Sequence, residues 1–207
     1  MSTPAPPRAR PDTRGWPDVA VLLAGAALLV LAGLAVDPVR VSGPEAAAFR
    51  VVNSTTVLPF AVVWPVMQLG NALVIPAAAL VAAAFRRWWL AGELLLAGGL
   101  TYLLAKEVKR VVVRGRPHAL LSHVKIRGAE AYGLGFVSGH AAVLSALATV
   151  AWPWLGRGSR IIACVLVVVV MLTRLYVGAH LPLDVVGGVG LGLAVGGAVR
   201  LLLGRRA

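Results

Sequence analysis

Cysteine is nearly absent from this chain of 207 residues: Cys164 stands alone, so neither a disulfide nor a cysteine-based metal site can form within it. Lying inside an apolar run, Cys164 reads as a packed, inert thiol. Charge is scarce as well, at 14% of residues, and acidic charge scarcer still, with 8 Asp and Glu against 20 Lys and Arg. So little charge excludes an ordinary soluble domain. No polar block of domain size interrupts the chain, which leaves no place for a second, soluble domain.

What is abundant is apolar surface, with 59% hydrophobic residues and a mean hydropathy of +0.85. At about 20 residues per crossing, the chain predicts an all-α membrane bundle of six transmembrane helices. In a soluble protein the net charge of +12 would point to nucleic acid. Here Lys and Arg flank the apolar runs, where membrane orientation and anionic lipid headgroups account for them. Membrane lipids are the expected partners, and nucleic acid is not.

Residues 1–17, rich in Pro and carrying Arg8, Arg10 and Arg14, read as a disordered cytoplasmic tail, and residues 18–207 as a single membrane domain. The first span runs from Asp18 to Val36; its apolar run exceeds that of a signal peptide, despite Ala32 and Ala35 near its end, so a retained helix is expected. The segment "PEAAAFRVVN" suits an amphipathic helix at the interface. Further spans are expected at Val57–Ala84, Trp88–Val113, Gly139–Leu155, Ile161–Val177 and Pro182–Leu203, with a polar loop from Gly115 to Val137.

With a cytoplasmic N-terminus, the inner side holds Arg8, Arg10, Arg14, Arg86, Arg87, Arg157, Arg160, Arg205 and Arg206, as the positive-inside rule asks. The C-terminus is then cytoplasmic too. Yet Lys106, Lys109, Arg110, Arg114, Arg116, Lys125 and Arg127 gather on the outer side. Positive charge held against the rule points to an anionic ligand there.

Three stretches fall on that outer face, because an even number of crossings separates each from the next: none between the first and second, two between the second and third. "KRVVVRGRP" places Lys109 and Arg116 seven apart, two turns along one helix face if the helix persists. "FVSGH" places Ser138 to N-cap the fourth span, with Gly139 and His140 in its first turn. "TRLYVGAHLPLD" places Arg174 near the end of the fifth span, His180 in the turn, and Asp184 in the first turn of the sixth after Pro182.

Charge near lipid is costly and is kept where it has a partner or a role. Two helix N-termini with three long cations suit a dianionic tetrahedral group, and phosphate is the natural guest. Two histidines then divide the displacement of a leaving group, one attacking phosphorus and the other protonating the departing oxygen. A carboxylate beside His180 can fix its tautomer and stabilise the cation formed on attack, so His180 is the expected nucleophile, His140 the general acid and base, and Asp184 the residue that orients His180. No carboxylate cluster offers a metal site, and no cofactor is expected.

These stretches resemble the signature of the type 2 phosphatidic acid phosphatase superfamily: Lys, six residues, Arg-Pro; then Pro-Ser-Gly-His; then Ser-Arg, five residues, His, three residues, Asp. Lys109, Arg116 and Pro117, then Ser138, Gly139 and His140, then Arg174, His180 and Asp184 match it. Val137 stands in place of the proline, and Thr173, which keeps a hydroxyl, in place of the serine. The resemblance implies a six-helix membrane fold from about residue 19, a histidine nucleophile and metal-independent hydrolysis. The expected substrate is a lipid phosphate, either a polyprenyl diphosphate or a phosphatidate or phosphatidylglycerophosphate type, whose tail stays in the bilayer.

A phosphotransferase using the same phosphohistidine is the second enzyme reading, and a lipid transporter a third that lacks inverted repeats or paired broken helices. The similar vanadium haloperoxidases are soluble, which the apolar spans argue against. The composition, biased to Ala, Gly, Val and Arg, fits a bacterial cell membrane. Lys125 and Arg127 are candidate headgroup contacts. Arg110 and Arg114 read as interfacial anchors, His118 and His123 as solvated, Lys106 as paired with Glu107, and Gln68 and Asn71 as hydrogen bonds of helix packing. Glu93 is expected to pair with a neighbouring helix or to reach inward.

Overall fold

The computed structural model describes residues 15–56, 58–128 and 132–204, and among these the only regular structure is helical. In chain order the elements are α1 (Trp16–Ala35), α2 (Gly43–Ser54), α3 (Phe60–Gln68), α4 (Val74–Ala84), α5 (Trp88–Val111), α6 (Pro117–Leu120), α7 (Gly139–Ala151), α8 (Arg157–Tyr176) and α9 (Pro182–Leu203). Most of the expected tail, residues 1–14, lies outside the described residues, as do Val57, Arg205 and Arg206. At its inner boundary the tail gives way earlier than expected, since Trp16 already opens α1.

Four helices, α1, α5, α8 and α9, are long and apolar enough to cross a membrane. Leu23, Leu31 and Leu34 on α1 and Ile161, Ile162, Val165 and Val168 on α8 stand exposed, an apolar exterior that suits lipid and not water. Cys164 lies on that exposed side of α8 and is not packed as expected, because α8 buries mainly its C-terminal turns.

The other two expected spans differ from continuous helices. Val57–Ala84 is interrupted between α3 and α4 at residues 69–73, where Gly70 and Asn71 supply turn chemistry and Pro76 has no N–H to extend α4 backwards. Asn71 donates to Gln68 Oε1 at 2.9 Å and accepts from the Leu73 amide at 3.1 Å, so the two side chains stabilise the break and do not join neighbouring helices. After Ala151, α7 tightens into a 3-10 turn at Trp152–Trp154, since Pro153 cannot donate the next rung.

At the centre is α9, flanked by α1 and α7. Lipid supplies no hydrophobic drive between helices, so close approach through small residues holds them together. A Cβ on Gly190 would fall 2.6 Å from Leu29 N of α1, and one on Gly188 2.5 Å from the Ser138 carbonyl at the start of α7. Each flanking helix meets its own file of α9 glycines. At the end away from the expected site, Asp18 of α1 pairs with Arg200 of α9 at 2.6 Å, and buried Glu93 accepts from Trp89 Nε1 at 3.0 Å, one turn back on its own helix. Lys106 does not pair with Glu107: Glu107 binds Arg110 at 2.6 Å, while Lys106 lies 4.3 Å from the Tyr102 ring centroid.

Candidate active site

Lys109 lies in the last turn of α5, and its Nζ donates to the carbonyls of Leu134 and Gly135, both at 3.1 Å, and Val137 at 2.6 Å. It thereby fastens the segment entering α7. The condition for Lys109 and Arg116 to share one helix face is not met: α5 stops at Val111, where the β-branched Val112 and Val113 and then Gly115 disfavour helix. Pro117 holds Arg116 extended, at φ −79° and ψ 164°. From this loop Arg116 reaches back, donating to the Tyr132 carbonyl at 3.2 Å and the Ala179 carbonyl at 2.7 Å.

Ser138 occupies the N-cap position of α7, but its hydroxyl makes no cap bond, contrary to expectation. Its amide donates to the Asp184 carbonyl at 2.8 Å, and this backbone tie to α9 sets where α7 begins. The hydroxyl is wholly buried and finds no hydrogen-bond partner among the described residues. Gly139 opens α7 and His140 follows in its first turn. Gly70, in the α3–α4 break, packs on the His140 backbone so closely that a Cβ would fall 2.6 Å from its carbonyl.

Arg174 is buried in the last turn of α8, with Nη1 2.6 Å from Met67 Sδ and Nε without a partner among the described residues. Thr173 donates its hydroxyl to the Val170 carbonyl at 2.7 Å, one turn back. Gly178, at φ +76°, reverses the chain between α8 and α9 and delivers His180, 3% exposed, to the start of α9.

The two ring nitrogens of His180 face opposite charges. Nε2 stands 3.3 Å from Arg116 Nη1 and Nδ1 3.5 Å from Asp184 Oδ2. A guanidinium can only donate, so Nε2 keeps its lone pair and the proton sits on Nδ1, towards the carboxylate. Burial foremost, then Arg174, Arg116, Lys109 and His140, holds the imidazole well below the usual histidine range. Burial also lowers the Arg116 guanidinium, which stays charged. His180 is thus a neutral nitrogen base among cations.

Asp184 is held in turn. Its Oδ2 accepts from the Leu181 amide at 2.8 Å, and its Oδ1 from Arg114 Nη1 at 2.9 Å. Arg114, read from sequence as an interfacial anchor, is 0% exposed and also binds Glu45 of α2, at 2.6 Å and 3.0 Å. Sequence reasoning missed Glu45. The spacing Ser42-x-x-Glu45 is that of a capping box, which offers an ordinary local use for the acid. The Ser42 hydroxyl does accept from the Glu45 amide at 3.3 Å, but the carboxylate turns inward to Arg114 and to the Leu183 amide at 3.0 Å. A Glu at the N3 position of a helix with a buried inner face was the only available signal.

Lys125 and Arg127 fasten their loop to the protein. Lys125 Nζ donates to the Ser54 carbonyl at 2.9 Å, while Arg127 binds the carbonyls of Tyr176, Asn53 and Thr55 and lies 4.0 Å from the Tyr176 ring centroid. The arrangement can hold a tetrahedral anion against a nucleophilic nitrogen. Among the described residues no three His, Cys, Asp or Glu side chains gather as a metal ion would need.

The family model of the PAP2 superfamily matches residues 86–207, which include the whole His180 constellation apart from Glu45. Two crystal structures share the fold. Aquifex aeolicus LpxE superposes with a TM-score of 0.70 at 24% identity, over 76% of this chain and 95% of that one. The first transmembrane PAP2-type phosphatidylglycerolphosphate phosphatase from Bacillus subtilis gives 0.66 at 23%, over 90% and 95%. Among curated protein sequences, none matches this chain.

Proposed function

The chain belongs to the PAP2 superfamily, a membrane lipid phosphatase family, and from this premise we propose that it hydrolyses a lipid phosphomonoester or diphosphate through a phosphohistidine on His180. The observation that carries the reading is the convergence on His180: a lone pair on Nε2 towards Arg116, a carboxylate behind Nδ1, and Arg174 and Lys109 close enough to act on the ring.

The phosphate oxygens take over donors from Arg116, Arg174 and Lys109, with the Ser138 hydroxyl and the α7 N-terminus completing the cradle. Arg116, drawn onto the phosphate, uncovers Nε2. Nε2 then attacks phosphorus while the bond to the leaving oxygen breaks, and His140 gives that oxygen its proton. Asp184 stabilises the positive charge that the ring acquires. Water next attacks the phosphohistidine, His140 takes its proton, the P–N bond breaks, and inorganic phosphate leaves with His180 neutral again.

A site at the ends of membrane helices suits a substrate whose tail remains in lipid, of the polyprenyl diphosphate, phosphatidate or phosphatidylglycerophosphate type. The last is the substrate class of the Bacillus subtilis phosphatidylglycerolphosphate phosphatase that shares the fold. We count α3 with α4, and α7 with its 3-10 turn, as two further crossings, which makes six. An even count puts both termini on one face, and the basic residues Arg86, Arg87, Arg157 and Arg160 at the ends remote from the site favour the cytoplasm for that face and the outside for the site. The test is phosphate release by the purified protein, in detergent with EDTA, from these lipids. Release by the wild type and none by His180→Ala is expected; equal release by both overturns the reading.

A further inference from the structure

The charges behind Asp184 form a chain across three elements, Glu45 on α2, Arg114 after α5 and Asp184 on α9, with side chains 5%, 0% and 0% exposed. We infer that Glu45 is a positioning residue for the reaction: by neutralising Arg114 from behind, it leaves Asp184 a full negative charge to offer His180. The inference rests on the phosphohistidine reading and adds to it a residue from outside the matched stretch 86–207.

Arg114 alone against Asp184 would make a neutral pair, and His180 would face the cations Arg116, Arg174 and Lys109, and His140, with no net negative charge to stabilise its own cation. Glu45 receives both terminal nitrogens of Arg114, at 2.6 Å and 3.0 Å, and the trio then carries one negative charge. Asp184 keeps Oδ2 turned to His180 because Oδ1 is held by Arg114. Glu45 Oε1 also accepts from the Leu183 amide, so α2 grips the same turn of α9 that presents His180 and Asp184. The groups facing His180 are therefore Asp184 on α9, Arg174 on α8, His140 on α7, Lys109 on α5 and Arg116 in the loop, with Glu45 and Arg114 acting through Asp184.

The test uses Glu45→Gln, which keeps the shape and an acceptor for Arg114 and Leu183 but removes the charge, beside Glu45→Asp, which keeps the charge. In Glu45→Gln we expect kcat to fall by about tenfold to a hundredfold, the scale for outer partners of a working histidine. KM should hold, because the phosphate donors are untouched. Attack needs neutral His180, and removing a nearby negative charge disfavours its cation, so the acid limb of the kcat–pH profile should move about one pH unit lower. Glu45→Asp should keep the wild-type limb. A loss of kcat with the limb unmoved, or no loss at all, overturns the inference.

A second measurement needs no turnover. The ¹⁵N-imidazole spectrum of His180 in the resting protein, assigned with His180→Gln, reads the proton on Nδ1. Glu45→Gln should shift that proton upfield as the negative charge that Asp184 presents to Nδ1 at 3.5 Å is partly cancelled by Arg114, and an unchanged signal contradicts the inference. If the wild type releases no phosphate from any lipid, the phosphatase reading fails while this spectrum still decides the role of Glu45.

Discussion

Arg116 Nη1 stands 3.3 Å from His180 Nε2, and because a guanidinium has no acceptor, this contact assigns the His180 tautomer. The lone pair of the ring lies on the side of the cation that would carry phosphate. Arg116→Lys keeps the charge but loses the fork that reaches Tyr132, Ala179 and His180 together. We expect a loss of kcat/KM of about a hundredfold or more in phosphate-release assays, with little change in Tm.

Asp184→Asn preserves shape and an acceptor for the Leu181 amide but abolishes the charge opposite Arg114. Two outcomes follow from one substitution. Activity should fall by about 10²–10⁴, as for an orienting aspartate elsewhere. Thermal unfolding should also show a loss of about 1–3 kcal/mol, because a buried charged hydrogen bond is weakened while Glu45 still neutralises Arg114.

Burial and the surrounding cations keep His180 below the usual histidine range, which ties stability to pH. Above about pH 6.5 the ring is neutral both folded and unfolded, and it contributes no pH dependence. As pH falls below that value the unfolded chain binds a proton that the folded chain refuses, so stability is lost downwards from about 6.5 towards the folded value. Tm measured in detergent should decline over that range, and His180→Gln should flatten the decline.

Gly188 lets α9 meet α7 where Ser138 and His140 begin that helix, since a Cβ would lie 2.5 Å from the Ser138 carbonyl. Gly188→Val should push the two helix starts apart. We expect a destabilisation of about 1–3 kcal/mol and a fall in kcat, read by thermal unfolding and phosphate release. Gly139→Ala, where a Cβ meets nothing within 4 Å, is the matched control for packing and should keep the wild-type Tm.

Much of the site was legible because its residues sit at helix ends. Arg174, His180 and Asp184 span one turn between α8 and α9, and short-range geometry fixes such spacing. The partners of Asp184 were not legible. Glu45 and Arg114 are 69 residues apart, each has an ordinary local reading, and only the packing of α2 on the α9 N-terminus unites them. Helix continuity failed for a related reason. The apolar run of residues 57–84 is long enough for one crossing, and hydropathy alone does not register that Gly70, Asn71 and Pro76 decide where the backbone bends. The Ser138 cap failed because a tertiary bond, its amide to the Asp184 carbonyl, sets the start of α7. Cys164 is exposed because an apolar residue in lipid needs no burial.

The measurement closest to the central claim is direct capture of the intermediate. Purified protein is mixed with a lipid phosphate that it hydrolyses, quenched in alkali, where phosphohistidine survives, and mapped by peptide mass spectrometry. The account predicts phosphate on the peptide carrying His180, more of it in His140→Ala given an activated substrate, and none in His180→Gln. Phosphate release with no label on His180, or label on His140 instead, would contradict it.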